Sequence, residues 1–213
     1  DCERFRPASV EERWTARQKL GLGWDEFVIG FGARWAEYKR HLDLILAFKH
    51  LKQRMPEARL VLWGRADGPS SQKVWQGLRE HIDEADSGIY CFGANPEDVP
   101  FFFLSIDAFA FPAVGEGLGS ALLEAMAMEV PVVVVRSGGI VEPFRYGACG
   151  IRVPCDDKRS LSTALFRLSK EPIMRRTLGK VGREIVESHY SSSQMASRYV
   201  GILEHPAEAG VSP

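Results

Sequence analysis

The sequence predicts an α/β fold in which a parallel sheet is flanked by helices, and three features of the chain indicate it. Short runs of β-branched and aromatic residues alternate with amphipathic segments, which is the pattern of repeated βαβ units. The run 130–135 is continuously apolar, as in strands that are buried on both faces. The chain has 213 residues, 45% of them hydrophobic, which suffices for one substantial core.

Strands and helices are predicted in alternation along most of the chain. The strands are placed at 27–33, 58–64, 89–92, 106–112, 130–135 and 151–153. The helices are placed at 41–54, 70–86, 96–105, 120–128, 157–170, 172–188 and 191–204. The helices are predicted from the spacing of apolar residues. In segment 41–54, for example, Leu42, Ile45, Leu46 and later apolar residues recur at helical intervals. No helix is predicted before residue 41, and 206–213, rich in Ala, Gly and Pro, is expected to fray.

Composition disfavours several classes of protein. With 27 basic and 28 acidic residues the net charge is −1, so we expect no nucleic-acid partner. The four cysteines fit neither a zinc pattern nor a disulfide framework, which favours a reduced, cytoplasmic location. No apolar run approaches the roughly 20 residues that span a bilayer. No signal sequence is found at the start. Because the chain opens abruptly and without methionine, we expect a fragment of a longer protein, with a processed full chain as the alternative.

The loop after the first predicted strand carries two cations. In open parallel sheets the ligand crevice lies beyond the carboxyl ends of the strands, so these loops are the first places to look for a site. Arg34 offers a planar fork for phosphate oxygens and Lys39 a compact point charge, so together they suit a diphosphate. The alternative is solvated surface charge.

The loop before the helix at 120–128 is rich in glycine. Gly117 and Gly119 let the backbone approach a ligand, and the amides at the helix start favour an anion. Glu124 is a single carboxylate in an apolar helical run and needs a partner. That partner is a ligand hydroxyl, an arginine or backbone amides.

Three further loops could border a ligand. Gly138 and Gly139 follow the central strand, where the alternative is an ordinary turn. A base or ribose could rest on the residues that follow the second and third strands, which are Gly64, Arg65, Phe92 and Gly93.

Taken together these loops resemble glycosyltransferase family 4, also called group 1. The resemblance rests on Gly32-x-Arg34 with Lys39 five residues later, Glu116-Gly117-Leu118-Gly119 with Glu124, and Pro131 with Gly138-Gly139. It covers nearly the whole chain and implies the Rossmann-like, C-terminal, donor-binding domain of a GT-B fold. It further implies an interdomain linker at 1–15, a nucleotide-sugar-binding domain at 16–188, and a C-terminal helix and tail at 189–213.

The resemblance also implies a role for each motif. Arg34 and Lys39 would hold the donor diphosphate and offset charge on the leaving nucleotide, and Glu116 would contact hydroxyls of the transferred sugar. These three are the predicted catalytic residues. The predicted donor-binding residues are Gly32, Gly64, Arg65, Phe92, Gly93, Gly117, Leu118, Gly119, Glu124, Gly138 and Gly139, with Glu124 on the ribose. No metal and no cofactor is implied.

The implied reaction is retaining transfer of a sugar from a UDP- or GDP-sugar to an unidentified acceptor. The acceptor would bind to a separate N-terminal domain, so this chain alone would be inactive and would reach a membrane only through that domain. A non-catalytic nucleotide-sugar-binding module and a UDP-sugar epimerase of the same fold remain alternatives. A Rossmann dehydrogenase is disfavoured because no G-x-G-x-x-G follows the first strand.

Two positions depart from the family pattern. Glu129 stands where the family has glycine or another small residue, which predicts a strained left-handed helix end. Leu118 replaces a more common aromatic residue, which could reshape the sugar pocket and leave the backbone donors in place.

Overall fold

A computed structural model describes residues 1–82, 88–93 and 95–204, which contain one six-stranded sheet flanked by helices. All five strand pairings are parallel, and the order across the sheet is β3-β2-β1-β4-β5-β6. The strands are β1 (Val28–Gly32), β2 (Arg59–Gly64), β3 (Ile89–Gly93), β4 (Ala108–Phe111), β5 (Val132–Val135) and β6 (Gly150–Val153). The predicted α/β fold with a parallel sheet is confirmed.

The helices occupy the connections between strands and the two ends of the chain. They are α1 (Val10–Lys19), α2 (His41–Lys52), α3 (Pro69–Arg79), α4 (Val99–Ser105), α5 (Ser120–Ala127), α6 (Lys158–Lys170), α7 (Pro172–Ile185) and α8 (Ser192–Glu204). Short 3₁₀ segments lie at Glu37–Lys39, Pro96–Asp98 and Gly138–Arg145, and one π-helical turn lies at Val186–Tyr190. Among these described helices, none is both long and apolar enough to cross a membrane.

The core is built around the central strands, whose side chains are buried on both faces. Aromatic residues fill much of it. Phe109 contacts Phe31, Trp63 and Phe103 at ring-centroid distances of 6.1, 6.0 and 5.4 Å. Such pairs add to the burial of apolar area, so they fix β1, β2 and β4 relative to one another.

Helix α1 is the clearest difference from the prediction, which placed no helix before residue 41. It begins with a capping box, in which the Ser9 hydroxyl accepts from the Glu12 amide (3.1 Å) and the Glu12 carboxylate accepts from the Ser9 amide (2.8 Å). Its buried residues are only Ala16 and Arg17, so it lacks the apolar stripe that identifies a surface helix. The predicted boundary at residue 15 falls inside α1, and the division into domains stays a prediction.

Smaller differences concern element ends. Helix α3 ends at Arg79, and the predicted continuation to residue 86 reaches 83–87, which lie outside the described residues. The predicted fraying of 206–213 lies outside them too. The helix predicted at 172–188 ends at Ile185 and continues as a π-helical turn, and the turn predicted at Gly138 is the start of a 3₁₀ segment.

The predicted left-handed helix end is confirmed at Glu129. This residue follows α5 with a φ of 57°, where a Cβ crowds the following carbonyl. Its amide donates to the carbonyl of Met126 at 3.1 Å, so the helix is closed at the expense of backbone strain.

Replacing Glu129 with glycine is expected to stabilise the chain by about 0.5–1 kcal/mol. The left-handed conformation costs a non-glycine residue about 1–2 kcal/mol, and the greater flexibility of glycine in the unfolded chain offsets part of the gain. Urea denaturation of Glu129→Gly measures the change. Glu129→Ala is the control, because it removes the carboxylate and keeps the Cβ. Equal gains in both variants would show that the carboxylate, and not the backbone, was destabilising.

Candidate functional site

Three loops meet at the edge of the sheet where its strands end. They follow β1, β4 and β5 and cover residues 33–40, 112–119 and 136–145. The chain moves outward from β1 to β3 and then returns to β4 on the other side of β1. In open parallel sheets a change of direction of this kind separates neighbouring loops and opens a ligand crevice.

Hydrogen bonds fix the three loops to one another. The bonds run from the Val114 amide to the Tyr38 carbonyl (2.9 Å), from the Gly139 amide to the Glu116 carbonyl (3.0 Å) and from the Gly115 amide to the Ser137 hydroxyl (2.9 Å). The loop after β4 is therefore held on both sides. Positions that are far apart in sequence thus share one preorganised surface.

Lys39 and Glu116 form an ion pair where the first two loops meet. The Lys39 Nζ lies 2.5 Å from Glu116 Oε2, and the side chains are only 12% and 19% exposed. The ammonium group also lies 5.0 Å from the ring centroid of Tyr38 and 5.9 Å from that of Phe111. The structure thus joins two of the three predicted catalytic residues, and the pair offers both a cation and an anion to a ligand.

Arg34, the third predicted catalytic residue, lies at the rim. Its guanidinium donates to the Tyr38 hydroxyl at 3.3 Å and pairs with no carboxylate among the described residues. It lines a cavity of about 560 Å³ together with Trp35 and Lys73, and neither Lys39 nor Glu116 borders that cavity. An exposed guanidinium beside such a cavity can bind an anion without first breaking an ion pair.

Gly138 and Gly139 are required by the close approach of the second and third loops. Gly138 has a φ of 57°, and a Cβ there would lie 2.1 Å from the Glu116 carbonyl oxygen. A Cβ at Gly139 would lie 3.0 Å from the backbone of Gly117. The predicted alternative of an ordinary turn does not account for these contacts, because the glycines position the backbone of the neighbouring loop.

The start of α5 leaves backbone amides open. Gly119 occupies the N-cap with a φ of 74°, and no side chain caps the helix. A Cβ added at Gly117 would meet no atom within 4 Å, so the space in front of this turn is free, and Leu118 is half-buried beside it. Uncapped amides at a helix start stabilise an anion.

Glu124 is half-buried one turn into α5. Burial raises the pKa of its carboxyl, and Arg4 opposes this effect. Its carboxylate makes no hydrogen bond or ion pair within the described part of the chain, so neither the arginine pairing nor the backbone capping considered above is seen. It can therefore accept hydrogen bonds from a ligand.

The predicted residues at the ends of β1 and β2 have a structural explanation. A Cβ at Gly32 would lie 2.1 Å from Trp63 Nε1, and one at Gly64 would lie 2.1 Å from the Ala33 carbonyl oxygen. The glycines let β1 and β2 pack closely beneath the first loop. The side chain of Arg65 is exposed and lies 3.5 Å from the carboxylate of Asp67.

At the end of β3 the two predicted residues differ. Phe92 is half-buried against Phe102, with ring centroids 5.8 Å apart, whereas Gly93 is exposed and has nothing within 4 Å of its Cβ position. Only Gly93 of this pair presents open backbone to a ligand.

Sequence reasoning missed Tyr38 and His41. Tyr38 supports both Arg34 and Lys39, and its place between two cations in one loop was an available signal. His41 is 2% exposed between Phe31 and Trp35, and neither ring nitrogen has a partner in the described structure. Burial, reinforced by Lys39, lowers the pKa of His41 to about 3, so it is a neutral packing residue beneath the loop.

Metal binding has no obvious donors here. Within residues 1–82, 88–93 and 95–204 there is no group of three or more His, Cys, Asp or Glu side chains that could hold an ion. The predicted charged groups of the site are Arg34, Lys39, Glu116 and Glu124.

Comparison with known proteins identifies a family. The profile described as "Glycosyl transferases group 1" matches residues 12–185. A GDP-mannose-dependent monoacylated alpha-(1-6)-phosphatidylinositol monomannoside mannosyltransferase of Corynebacterium glutamicum is 32% identical, over 96% of this chain and 54% of its own length. EpsD of Bacillus subtilis, a glycosyltransferase by name, is 30% identical over 86% of this chain and 47% of its own length. The chain thus spans about half the length of these relatives.

Solved structures share the fold. Anabaena HepE in complex with UDP superposes with a TM-score of 0.86 at 21% identity, over 96% of this chain and 55% of HepE. The C-terminal domain of a glycosyl transferase group 1 family protein, LpcC of Francisella tularensis, has a TM-score of 0.76 at 21% identity. The superposition covers 90% of this chain and 98% of that domain. A domain of about the same size has therefore been crystallised by itself.

Proposed function

The chain belongs to the glycosyl transferases of group 1, and from that premise we propose that it is the donor-binding half of a retaining glycosyltransferase. The donor is a nucleotide sugar with UDP or GDP as its nucleotide. The acceptor binds to a second domain, so sugar transfer requires the longer protein. UDP is bound by a relative with the same fold, and GDP-mannose dependence is named for another.

The Lys39–Glu116 ion pair is the observation that carries this proposal. When a donor enters, the Lys39 ammonium turns from the carboxylate to the diphosphate, and Glu116 becomes free to accept hydrogen bonds from sugar hydroxyls. Arg34 adds a second cation, since its guanidinium donates to Tyr38, whose ring lies beside the Lys39 ammonium group. As the glycosidic bond breaks, negative charge grows on the leaving diphosphate, and these two cations stabilise it.

The backbone supplies the remaining contacts. The amides before α5 have no side-chain cap, and we propose that they stabilise sugar or phosphate oxygens. Glu124 accepts hydrogen bonds from the ribose hydroxyls, which favours the charged carboxylate that burial disfavours. We propose that charge neutralisation by these groups makes a metal ion unnecessary, so that a chelator leaves donor binding unchanged.

Calorimetric titration of the chain with UDP, GDP, ADP and their sugar conjugates tests the proposal. One nucleotide is expected to bind best, and Arg34→Ala and Glu124→Ala are each expected to weaken it about tenfold, the loss of one charge-assisted hydrogen bond. Arg167→Ala is the control, since Arg167 is exposed in the last turn of α6, whereas the loops lie near the start of that helix.

Two results would contradict the proposal. One is a folded chain that binds none of these nucleotides, and the other is binding that neither site variant weakens. Transfer by this chain alone would overturn the assignment of the acceptor to another domain. The anomer formed by the longer protein, read by NMR, tests retention and separates a transferase from a binding module.

A further inference from the structure

A second cavity lies at the opposite edge of the sheet, where β4 and β5 begin. It is bordered by α1, by the turn 128–131 between α5 and β5, and by the start of α7. Its volume of about 590 Å³ falls within the range of small-molecule sites. The loops of the proposed donor site follow the other ends of the same strands, so the two cavities are separate.

Positive charge dominates the wall of this cavity. Its charged residues are Arg13, Arg17, Arg175, Arg176, Asp107 and Glu129, which is four guanidinium groups against two carboxylates. Asp107 is already occupied, because one oxygen lies 2.7 Å from Arg13 and the other 2.5 Å from Arg17. Arg175 and Arg176 therefore have no carboxylate partner of this kind among the described residues.

The arrangement of these cations is electrostatically unfavourable by itself. Burial lowers the pKa of Arg13, Asp107 raises it, and the neighbouring Arg17 and Arg175 lower it further. Arg175 and Arg176 also stand near the start of α7, whose N-cap Glu171 is paired with Arg167 at 2.8 Å and whose first turn has no acidic residue. Cations are disfavoured near the positive end of a helix, and a bound anion would reverse that effect.

Arg175 and Arg176 have hydrogen-bond donors left over for a ligand. Arg175 donates through one nitrogen to the carbonyls of Leu168 and Ser169. Arg176 is exposed and makes no hydrogen bond or ion pair with any residue the structure describes. A guanidinium group can donate two parallel hydrogen bonds to phosphate oxygens. The positive end of the helix dipole stabilises a phosphate as well.

An aromatic wall completes the cavity. Trp24 lines it and is 46% exposed, and its ring packs edge-on against Trp14 at 5.8 Å. An exposed tryptophan beside a cationic cavity offers an apolar surface to the part of a ligand that carries no charge.

We propose that this cavity binds a phosphate-bearing ligand, independently of the nucleotide-sugar site. The phosphate lies against Arg175 and Arg176 at the start of α7, and the rest of the ligand lies against Trp24. A soluble phosphate compound and the headgroup of an anionic lipid present the same chemistry to these residues.

The test uses pyrophosphate as the probe and separates the two anion sites by substitution. Pyrophosphate is titrated into the parent chain, into Lys39→Ala, which weakens the donor site, and into Arg176→Glu, which reverses one charge in the cavity. Lys180→Glu is the matched control, because Lys180 is exposed on the same helix and does not line the cavity. Glu129→Gln removes the unpaired carboxylate of the cavity.

Binding that survives in Lys39→Ala supports the proposal if, in that background, it falls at least tenfold when Arg176→Glu is added and rises when Glu129→Gln is added. Binding that Lys39→Ala abolishes and Arg176→Glu leaves unchanged overturns it, since only the donor site would then take the anion. Equal losses in Arg176→Glu and Lys180→Glu also overturn it, because net charge alone would explain them.

Vesicles distinguish the source of the phosphate. Co-sedimentation with phosphatidylcholine vesicles that contain phosphatidylglycerol, lost in Arg176→Glu, assigns the site to a lipid headgroup. Pyrophosphate binding without co-sedimentation assigns it to a soluble compound. Absence of both overturns the proposal.

Discussion

Replacing Lys39 with alanine is expected to weaken binding of the preferred nucleoside diphosphate by about 30- to 100-fold. A charge-assisted hydrogen bond contributes about 1.5–3 kcal/mol, and here its loss has a second effect. Glu116 keeps its carboxylate in a half-buried position without its counter-charge, and that carboxylate repels the diphosphate. Calorimetry with UDP and GDP measures the change.

Glu116→Gln is expected to have the opposite effect on the same ligand. The nucleotide would no longer have to replace a carboxylate at Lys39, so its affinity should rise by roughly fivefold, which corresponds to about 1 kcal/mol for a pair of this exposure. Binding of the nucleotide sugar should gain less, because Glu116 no longer accepts from the sugar hydroxyls. The double variant Lys39→Ala/Glu116→Gln should recover part of the loss seen in Lys39→Ala.

Lys49→Ala is the matched control for this cycle. Lys49 is exposed near the end of α2, away from the three loops. Its replacement removes the same charge as Lys39→Ala. It should change affinity less than twofold. If Glu116→Gln weakened nucleotide binding, and this loss added to that of Lys39→Ala, the ion pair would not compete with the ligand, and the proposed exchange of partners would be wrong.

The sheet could be predicted from the sequence because its strands are buried on both faces. Such strands are continuous apolar runs, and 130–135 shows this pattern most clearly. The glycine loops were also visible in the sequence, whereas the collision of a side chain at Gly138 or Gly139 with the neighbouring loop is seen only in the structure. The chemistry of the site follows from residue type and from the order of these loops.

The remaining features depend on contacts that no local pattern encodes. Nothing in the run around Lys39 indicates that its partner is Glu116, 77 residues later. Helix α1 was missed because it packs through Arg17, and a buried arginine does not contribute to hydrophobic periodicity. Its capping box, Ser9 with Glu12, was a local signal that could have revealed it.

Asp107→Asn is expected to lower the free energy of unfolding by about 3–5 kcal/mol. One Asp107 oxygen lies 2.5 Å from Arg17, whose side chain is 2% exposed, and the same oxygen accepts from the Val28 amide at 2.8 Å. The other lies 2.7 Å from Arg13. Asparagine keeps the shape and removes the charge, so Arg17 becomes a buried cation without a counter-ion.

Urea denaturation measures this effect against a matched pair on the surface. Arg167 and Glu171 lie 2.8 Å apart with side chains 61% and 44% exposed, so Arg167→Ala should cost no more than about 0.5 kcal/mol. Removing both charges, in Asp107→Asn/Arg17→Met, should cost less than the sum of the single variants, because neither charge is left buried alone. A cost for Asp107→Asn as small as that of the surface pair would contradict this account.

The same substitution separates stability from binding. Asp107 precedes the first residue of β4, whereas the loop with Glu116 follows its last, and a strand of four residues spans about 13 Å. Below the unfolding transition, Asp107→Asn should therefore bind nucleotide as tightly as the parent chain, although it unfolds at lower urea concentration. If its affinity fell as well while it stayed folded, the ion-pair cluster would be holding β1 and β4 at the spacing that the crevice requires.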